Sequence, residues 1–488
     1  TQKPGIKLRF LKVNVLDRFR DQFEPYHKLL GCDLESSIPF KGTLIRIPFR
    51  TKESSARSEI SKIVVSDEMV AALSQQFQAE AFQWLLFLQN VQEISMSRLV
   101  VTNGSMEPVL QRVCSVSLPR AGLTKRPSLV TCGSAGRCTA VSTHLEVSCS
   151  ADSKDEKQTL RRYHLFTDTQ HGFRSRVCLA VPLMQEQDAG GDVWCHDEDG
   201  RVFCFLPLPR NVDLGLRLHV HAPLNMAQDR RSVLLDNRIG ESEQELVRHN
   251  FYLLDDLIPS ALLACLQDLA VKRNQMPPAH FFALFPTLHN KSQAPSERIA
   301  KTFYAKLLSQ TSCPLPVAAP AVSKQRRIEA RPAYWVKVAD AVFVPSLSSA
   351  RAEQVTQALL DSVVECLLRC GVPIVDAPPN VLESLSHSCD SCGKNGKGQP
   401  ADGRANFTIL TPSWLRQRLR SEGGMKSHVL KQTPAANIFA QLTPVDVADL
   451  LEFAVSDGDM GDLLGVPLLM CEDETMVQPF ARSTAQQI

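Results

Sequence analysis

Charge of one sign is scarce in this sequence: 54 Lys and Arg stand against 52 Asp and Glu, a net charge of +2 over 488 residues. A chain so balanced has no strong pull towards nucleic acid or an anionic membrane, both of which are bound through surplus cations. Long apolar runs are missing too. None approaches the roughly 18 residues that span a bilayer, and the best candidate, Ala81–Val91, is broken by Gln and Asn, so membrane insertion is not expected. The 15 cysteines lack the dense, regular spacing of a secreted disulfide scaffold. Scattered thiols in a long chain suit a reducing compartment, which makes a cytoplasmic location the expectation. Residue 1 is Thr, with no charged-then-apolar leader after it. The abrupt start suggests a chain that continues upstream. No repeat at a solenoid period is visible.

What is present is enough apolar material for real cores, at 44% hydrophobic residues. The length suits two to four domains of roughly 100–200 residues each. Ile6, Leu8 and Phe10 alternate with Lys7 and Arg9 as in a half-buried strand, and Gly42–Phe49 reads as another. Ser66 sits where it can cap a long amphipathic helix, with Asp67 and Glu68 in its first turn. Met69, Val70, Leu73, Phe77, Trp84, Leu88 and Val91 form its expected packing stripe. From about 94 to 209 the chain reads as an antiparallel sheet, with strands at Val100–Val101, Leu110–Leu118, Thr139–Cys149, Arg162–Phe166 and Ser175–Leu183. Gly200–Pro209 reads as a buried strand, and Leu214, Leu216, Leu218 and Val220 share one face.

Further on, Ser242 and Glu245 read as a capping box, and Pro259 should end or kink that helix before Ser260 caps the next. Thr311–Val322, with three prolines, is the best linker candidate. Arg331–Pro345 looks like a strand pair, Arg351–Arg369 a helix, His387–Arg404 a loop, and Pro444–Phe480 a helix followed by a hairpin.

Few side chains form a pattern that chemistry demands. Cys389 and Cys392 make a CxxC with His387 nearby, but a structural zinc site needs four ligands and no second pair exists, so no metal is expected. His219 and His221 share a strand face with nothing to complete a ligand set, and Lys324–Arg327 reads as solvated surface. No glycine-rich phosphate loop leading into a helix appears.

Four runs, in order along nearly the whole chain, carry a resemblance: Lys3–Ile6 with Phe40–Arg50; Phe203–Pro209 with Leu218–Arg231; Tyr334–Val344 with Val372–Pro378; and Leu450–Phe480. Together they resemble the large repeated unit of the sacsin family. The resemblance implies an α+β, multidomain chain. Residues 1–60 would be the C-terminal remnant of a GHKL-type nucleotide-binding sandwich, of the kind found in the ninety-kilodalton heat-shock chaperone, histidine kinases and gyrase. A mixed middle domain would occupy 61–310, a Pro-rich linker 311–330, and a second mixed domain 331–488.

ATP hydrolysis on such a fold needs a Glu as general base, a magnesium-holding Asn, a DxGxG-type turn and a glycine lid. The chain contains none of these, so no catalytic residue is named, no cofactor is expected in this chain, and ATP with magnesium belongs to a complete parent protein. Gly42 and Thr43 are what remains of the nucleotide site by resemblance, with the Thr hydroxyl helping to anchor the base; the plain alternative is a glycine that opens a strand. Arg230 and Arg231 correspond to a paired arginine motif, readable as a phosphate sensor or interdomain clamp, or as a salt-bridged pair at a strand end. The function implied is that of client- or partner-binding modules, whose partners are client proteins or chaperones and the missing upstream domain. The alternatives are a scaffold that never turns over ATP, or an independent enzyme using Cys and His. Strands at 4–50 without sheet partners would leave an exposed, sticky edge.

Overall fold

The computed structural model describes residues 18–36, 40–88, 90–100, 109–118, 141–151, 159–168, 176–185, 192–194, 200–228, 230–235, 241–272, 276–288, 295–309, 313–320, 332–345, 355–393, 408–423, 442–459, 469–470 and 476–477. The chain divides into unit 1, Thr1–Phe77, and unit 2, Gln78–Ile488.

In unit 1 the helices are α1 (Arg20–Phe23), α2 (Lys52–Arg57) and the start of α3 (Asp67–Trp84). Ser66 caps α3 as expected, its Oγ accepting the Met69 N–H at 3.4 Å. The Ser66 hydroxyl also holds the Glu68 carboxyl below its ordinary pKa. The strand expected at Gly42–Phe49 does not form: the backbone is extended, yet it has no strand partner among the described residues. β-branched side chains favour extended φ/ψ, but only a neighbour makes a ladder, and Pro48 removes one donor. Ile45 and Ile47 are accordingly 76% and 77% exposed. The strand read at Ile6–Phe10 lies outside the described residues. The α3 stripe also differs from expectation. Met69 and Leu73 are exposed, the helix stops at Trp84, and burial in its second half falls on Ala81 and Phe82, continuing through Leu85–Phe87.

The antiparallel sheet between 94 and 209 is present in unit 2. Its strands are β1 (Glu93–Val100), β2 (Val109–Ser117), β3 (Val141–Ala151), β4 (Thr159–Thr167), β5 (Cys178–Gln185), β6 (Asp192–Trp194), β7 (Val202–Cys204), β8 (Leu206–Pro207) and β9 (His219–His221). They run in the order β1-β2-β3-β4-β5-β9-β7-β8, with β6 on the far end of β5 and only β7–β9 parallel. Gly200–Pro209 is thus a tight hairpin and not one strand, reversing at Phe205 with φ +64°. The alternation at 214–220 holds: Leu214, Leu216, Leu218 and Val220 are all buried.

One sheet face, carrying Phe166, Leu179, Val181 and Val220, packs on helices. These are α4 (Glu241–Tyr252), α5 (Ile258–Lys272), α6 (Pro278–Ala283) and α7 (Pro295–Ser309). Helix α4 begins one residue before Ser242, so Ser242 lies within the first turn and not at the cap. Pro259 neither ends the helix nor leaves it regular. Residues Leu253–Leu257 form a π turn that runs straight into α5. Proline has no N–H, and its ring crowds the carbonyl four residues back; widening the turn relieves both. Ser260 then does not cap: its Oγ donates back to Asp256 O at 2.7 Å.

The segment expected as a linker contains a buried strand. β10 (Pro314–Val317) pairs antiparallel with β11 (Tyr334–Lys337), Leu315 opposite Val336. Val317 O accepts the Ala333 N–H at 2.9 Å, so Leu315 and Val317 turn their backbone groups towards β11. Pro314 and Pro316, one residue out of phase, place their missing donors on the other side, where no ladder asks for them. The remaining expected pair splits: β12 (Val342–Phe343) joins β13 (Ile374–Val375) and β14 (Thr408–Ile409) in a small parallel sheet. Parallel neighbours need crossovers, supplied by α8 (Gln357–Arg369) and α9 (Pro379–Gly393). α9 takes in part of the expected loop, carrying His387 and Cys389 exposed on a helix. α10 (Pro412–Gly423), α11 (Pro444–Val455) and the hairpin β15 (Leu469–Met470) and β16 (Met476–Val477) complete the described chain.

The fold is therefore mixed α/β, consistent with α+β. One hydrophobic core in unit 2 runs from Phe166 through Leu262, Phe303 and Phe343 to Leu450, across the boundary expected at 311–330.

Candidate functional site

Arg230 and Arg231 sit together at the tip of a tight turn, both exposed. The turn closes because Arg230 N–H donates to Ala227 O at 2.9 Å, Ala227 N–H to Ser232 O at 2.9 Å and Leu234 N–H to Asn225 O at 3.0 Å. Arg230 has φ +56°, a left-handed conformation that glycine takes freely and a side chain takes at a cost.

What holds that strained turn is an asparagine that no sequence motif singles out. Asn250 on α4 is fully buried. Its Oδ1 accepts the Asn225 N–H at 2.8 Å, and its Nδ2 donates to Asn225 O and Leu234 O, each at 2.8 Å. One side chain thereby ties both arms of the turn to the helix. Asn211 Nδ2 adds a bond to Arg231 O at 3.0 Å. A polar residue shortly before the buried Leu253–Leu254 run was the signal available in sequence. Its meaning depends on the turn lying opposite, which periodicity does not reveal.

Beside the turn lies a cavity of about 190 Å³, lined by Val212, Leu224, Ser232, Val233, Leu235 and Leu254 among others. Small-molecule pockets run from about 300 Å³ upwards. This one suits a single apolar side chain and not a nucleotide. Arg230 also reaches the hairpin at 202–207: burial pushes the Cys204 thiol up, and the Arg230 charge pulls the other way. The thiol donates to Leu224 O at 3.5 Å.

The other candidates read from the sequence do not join this cluster. Gly42 and Thr43 belong to unit 1, both exposed in the extended stretch that lacks a ladder. His219 and His221 are buried on the sheet face opposite the helices and act as acceptors. His219 Nδ1 takes the Arg201 N–H at 3.1 Å and His221 Nδ1 the Phe205 N–H at 3.2 Å. His221 stacks on Phe87 with centroids 5.4 Å apart, and His219 meets Phe203 edge-on at 6.0 Å. Burial holds both neutral, His219 down to about 3 and His221 down to about 4. On the same side Glu80 is buried and bridges Arg201 at 2.6 Å and Arg210 at 2.9 Å. Among the described residues no group of three or more His, Cys, Asp or Glu could hold a metal ion, and no helix is long and apolar enough to cross a membrane. Lys324–Arg327 lies outside the described residues.

The acidic turn of the last resembling run has a structural task. Arg416 on α10, fully buried, donates to Asp457 at 2.6 and 2.9 Å and to Ala454 O at 2.6 Å. That fork pins the end of α11 to α10.

Comparison with known proteins agrees with the resemblance. Residues 1–112 match the family model of the sacsin domain. Over 97% of its length the chain is 24% identical to human sacsin, and it spans about a tenth of that protein (10%). No solved structure matches.

Proposed function

Taking the chain as a sacsin-type unit, we propose that it is a client- or partner-binding module of a chaperone-related protein, itself non-catalytic and coupled to an ATP-binding domain upstream. Residues 1–60 would then be the remnant of a GHKL-type sandwich, with Gly42 and Thr43 its last contribution to a nucleotide site. ATP and magnesium would be held upstream, and the module would work in the cytoplasm, where cysteines such as Cys204, Cys265 and Cys313 persist as free thiols. The observation that carries the reading is the Arg230–Arg231 turn, which keeps a strained arginine beside a mostly apolar cavity of single-side-chain size. Strain retained at an exposed position points to use. The cavity supports docking of an apolar side chain from a partner, and the guanidinium groups suit carboxylates beside it or phosphates brought by a neighbouring domain.

The test is suppression of aggregation of a heat-denatured model protein, with the chain and with its Arg230→Glu/Arg231→Glu variant. Suppression that the charge reversal weakens at least severalfold supports the module, whereas no suppression by either protein overturns it. A scaffold without ATP turnover is the second reading. Calorimetry with ATP and magnesium, on this chain and on one extended upstream by a full domain, separates the two: binding only in the extended protein favours the coupled module, and binding in neither favours the scaffold.

A further inference from the structure

Helix α8 and its C-cap carry two cysteines one turn apart, away from the arginine turn. Cys370 N–H donates to Cys366 O at 3.0 Å, so the last helical turn holds both residues on one face. Cys366 is fully buried, while Cys370 is half-buried at the C-cap, followed by Gly371 with φ +78°. The Cys366 and Cys370 side chains interact with one another, and neither is in a disulfide. The pair sits next to the ion pair of Arg369 with Asp446, which ties α8 to α11.

Spacing decides what such a pair can do. Side chains at i and i+4 stand about 5–6 Å apart between Cβ atoms, whereas a disulfide needs roughly 3.5–4.5 Å. Closing a sulfur–sulfur bond would therefore unwind the last turn and pull on the Arg369–Asp446 contact. An atom inserted between the two sulfurs removes that conflict. Zinc sites ask for four ligands and this pair offers two, while soft sulfur ligands select Cu(I).

We propose that Cys366 and Cys370 form a two-sulfur site for a soft monovalent cation, Cu(I), passed on from a complex with a low-molecular-weight thiol. Each sulfur gives up its proton and takes one bond to copper. The two protons return to the carrier's sulfurs, and copper stays Cu(I), so no electron moves. Entry is through Cys370, the sulfur within reach of solvent. Arg369 offsets part of the charge of the bis-thiolate complex, with Asp446 acting against it.

The experiment uses the full chain without oxygen, with free Cu(I) set by a colorimetric chelator and native alkylation by N-ethylmaleimide read peptide by peptide. In the copper-free protein Cys370 is alkylated; with one equivalent of Cu(I) it is protected. Cys370→Ser, at a half-buried position that tolerates the change, competes for copper at least tenfold less well. Equal alkylation of Cys370 with and without Cu(I) would overturn the site, as would a Cys370→Ser protein that binds as tightly as the original. Rapid formation of a Cys366–Cys370 disulfide under diamide would overturn the spacing argument beneath it.

Discussion

Arg230 occupies a conformation that costs an ordinary side chain about 1 kcal/mol relative to glycine. Arg230→Gly should therefore raise stability by about 0.5–1 kcal/mol in urea unfolding while weakening the suppression of aggregation. A variant both less stable and fully active would remove the argument that strain here serves use. The two buried histidines yield a second prediction, in pH. Burial lowers their pKa values to about 3 and about 4 from the ordinary 6.5, so the folded chain refuses protons that the unfolded chain accepts. Their stabilisation is complete above about pH 6.5 and is lost as pH falls towards 4, at up to about 1.4 kcal/mol per pH unit for each histidine. His221→Phe should flatten that slope between pH about 6.5 and about 4 by roughly one histidine's share, whatever it costs at neutral pH. An unchanged slope would mean that His221 takes up a proton without unfolding. Arg416 is the third residue of this kind. Arg416→Ala leaves Asp457 without its fork and a buried space behind it, for an expected loss of about 3–5 kcal/mol, reduced because Asp457 is 35% exposed.

Elements were legible where the pattern is local. The strands from 109 to 185 and the helices ending at Arg369 and beginning at Pro444 follow from alternation and 3.6-residue periodicity. They were illegible where a distant partner decides. Gly42–Phe49 has strand residues and no ladder, whereas Pro314–Val317 has linker residues and a ladder, because β11 presents its edge to the side that keeps its donors. The candidate site divides the same way. Paired arginines are visible in the sequence, but Asn250 gains its meaning only from the two strand-like arms it ties together. Limited proteolysis checks the reversed pair directly. Trypsin-like and broad proteases should cut near 42–49, where Ile45 and Ile47 are exposed, and should spare 313–318, where Leu315 and Val317 are buried. Cleavage of 313–318 at the rate of 42–49 would restore the linker.

At the scale of the molecule, the expected boundary at 311–330 cuts through material that a folded chain keeps dry. Tyr304 on α7 donates to Pro286 O at 2.9 Å, Leu288 N–H reaches Ser384 on α9 at 3.4 Å, and Ala318 N–H donates to Ile374 O at 3.0 Å. Each of the last two bonds joins residues before the boundary segment, or within it, to the part after it. The side chains of Phe303 and Phe343 belong to the same core. A part that ended at 310 would expose that core along α7, and one that began at 331 would lack the β10 partner of β11. Burial of this extent makes the two halves thermodynamically dependent. Leu262→Ala in the first and Val364→Ala in the second should each lower one shared unfolding transition of unit 2, by about 2–5 kcal/mol for the leucine and less for the smaller valine. Two separate transitions, with each substitution moving only its own, would show that the core is divided at 311–330 after all.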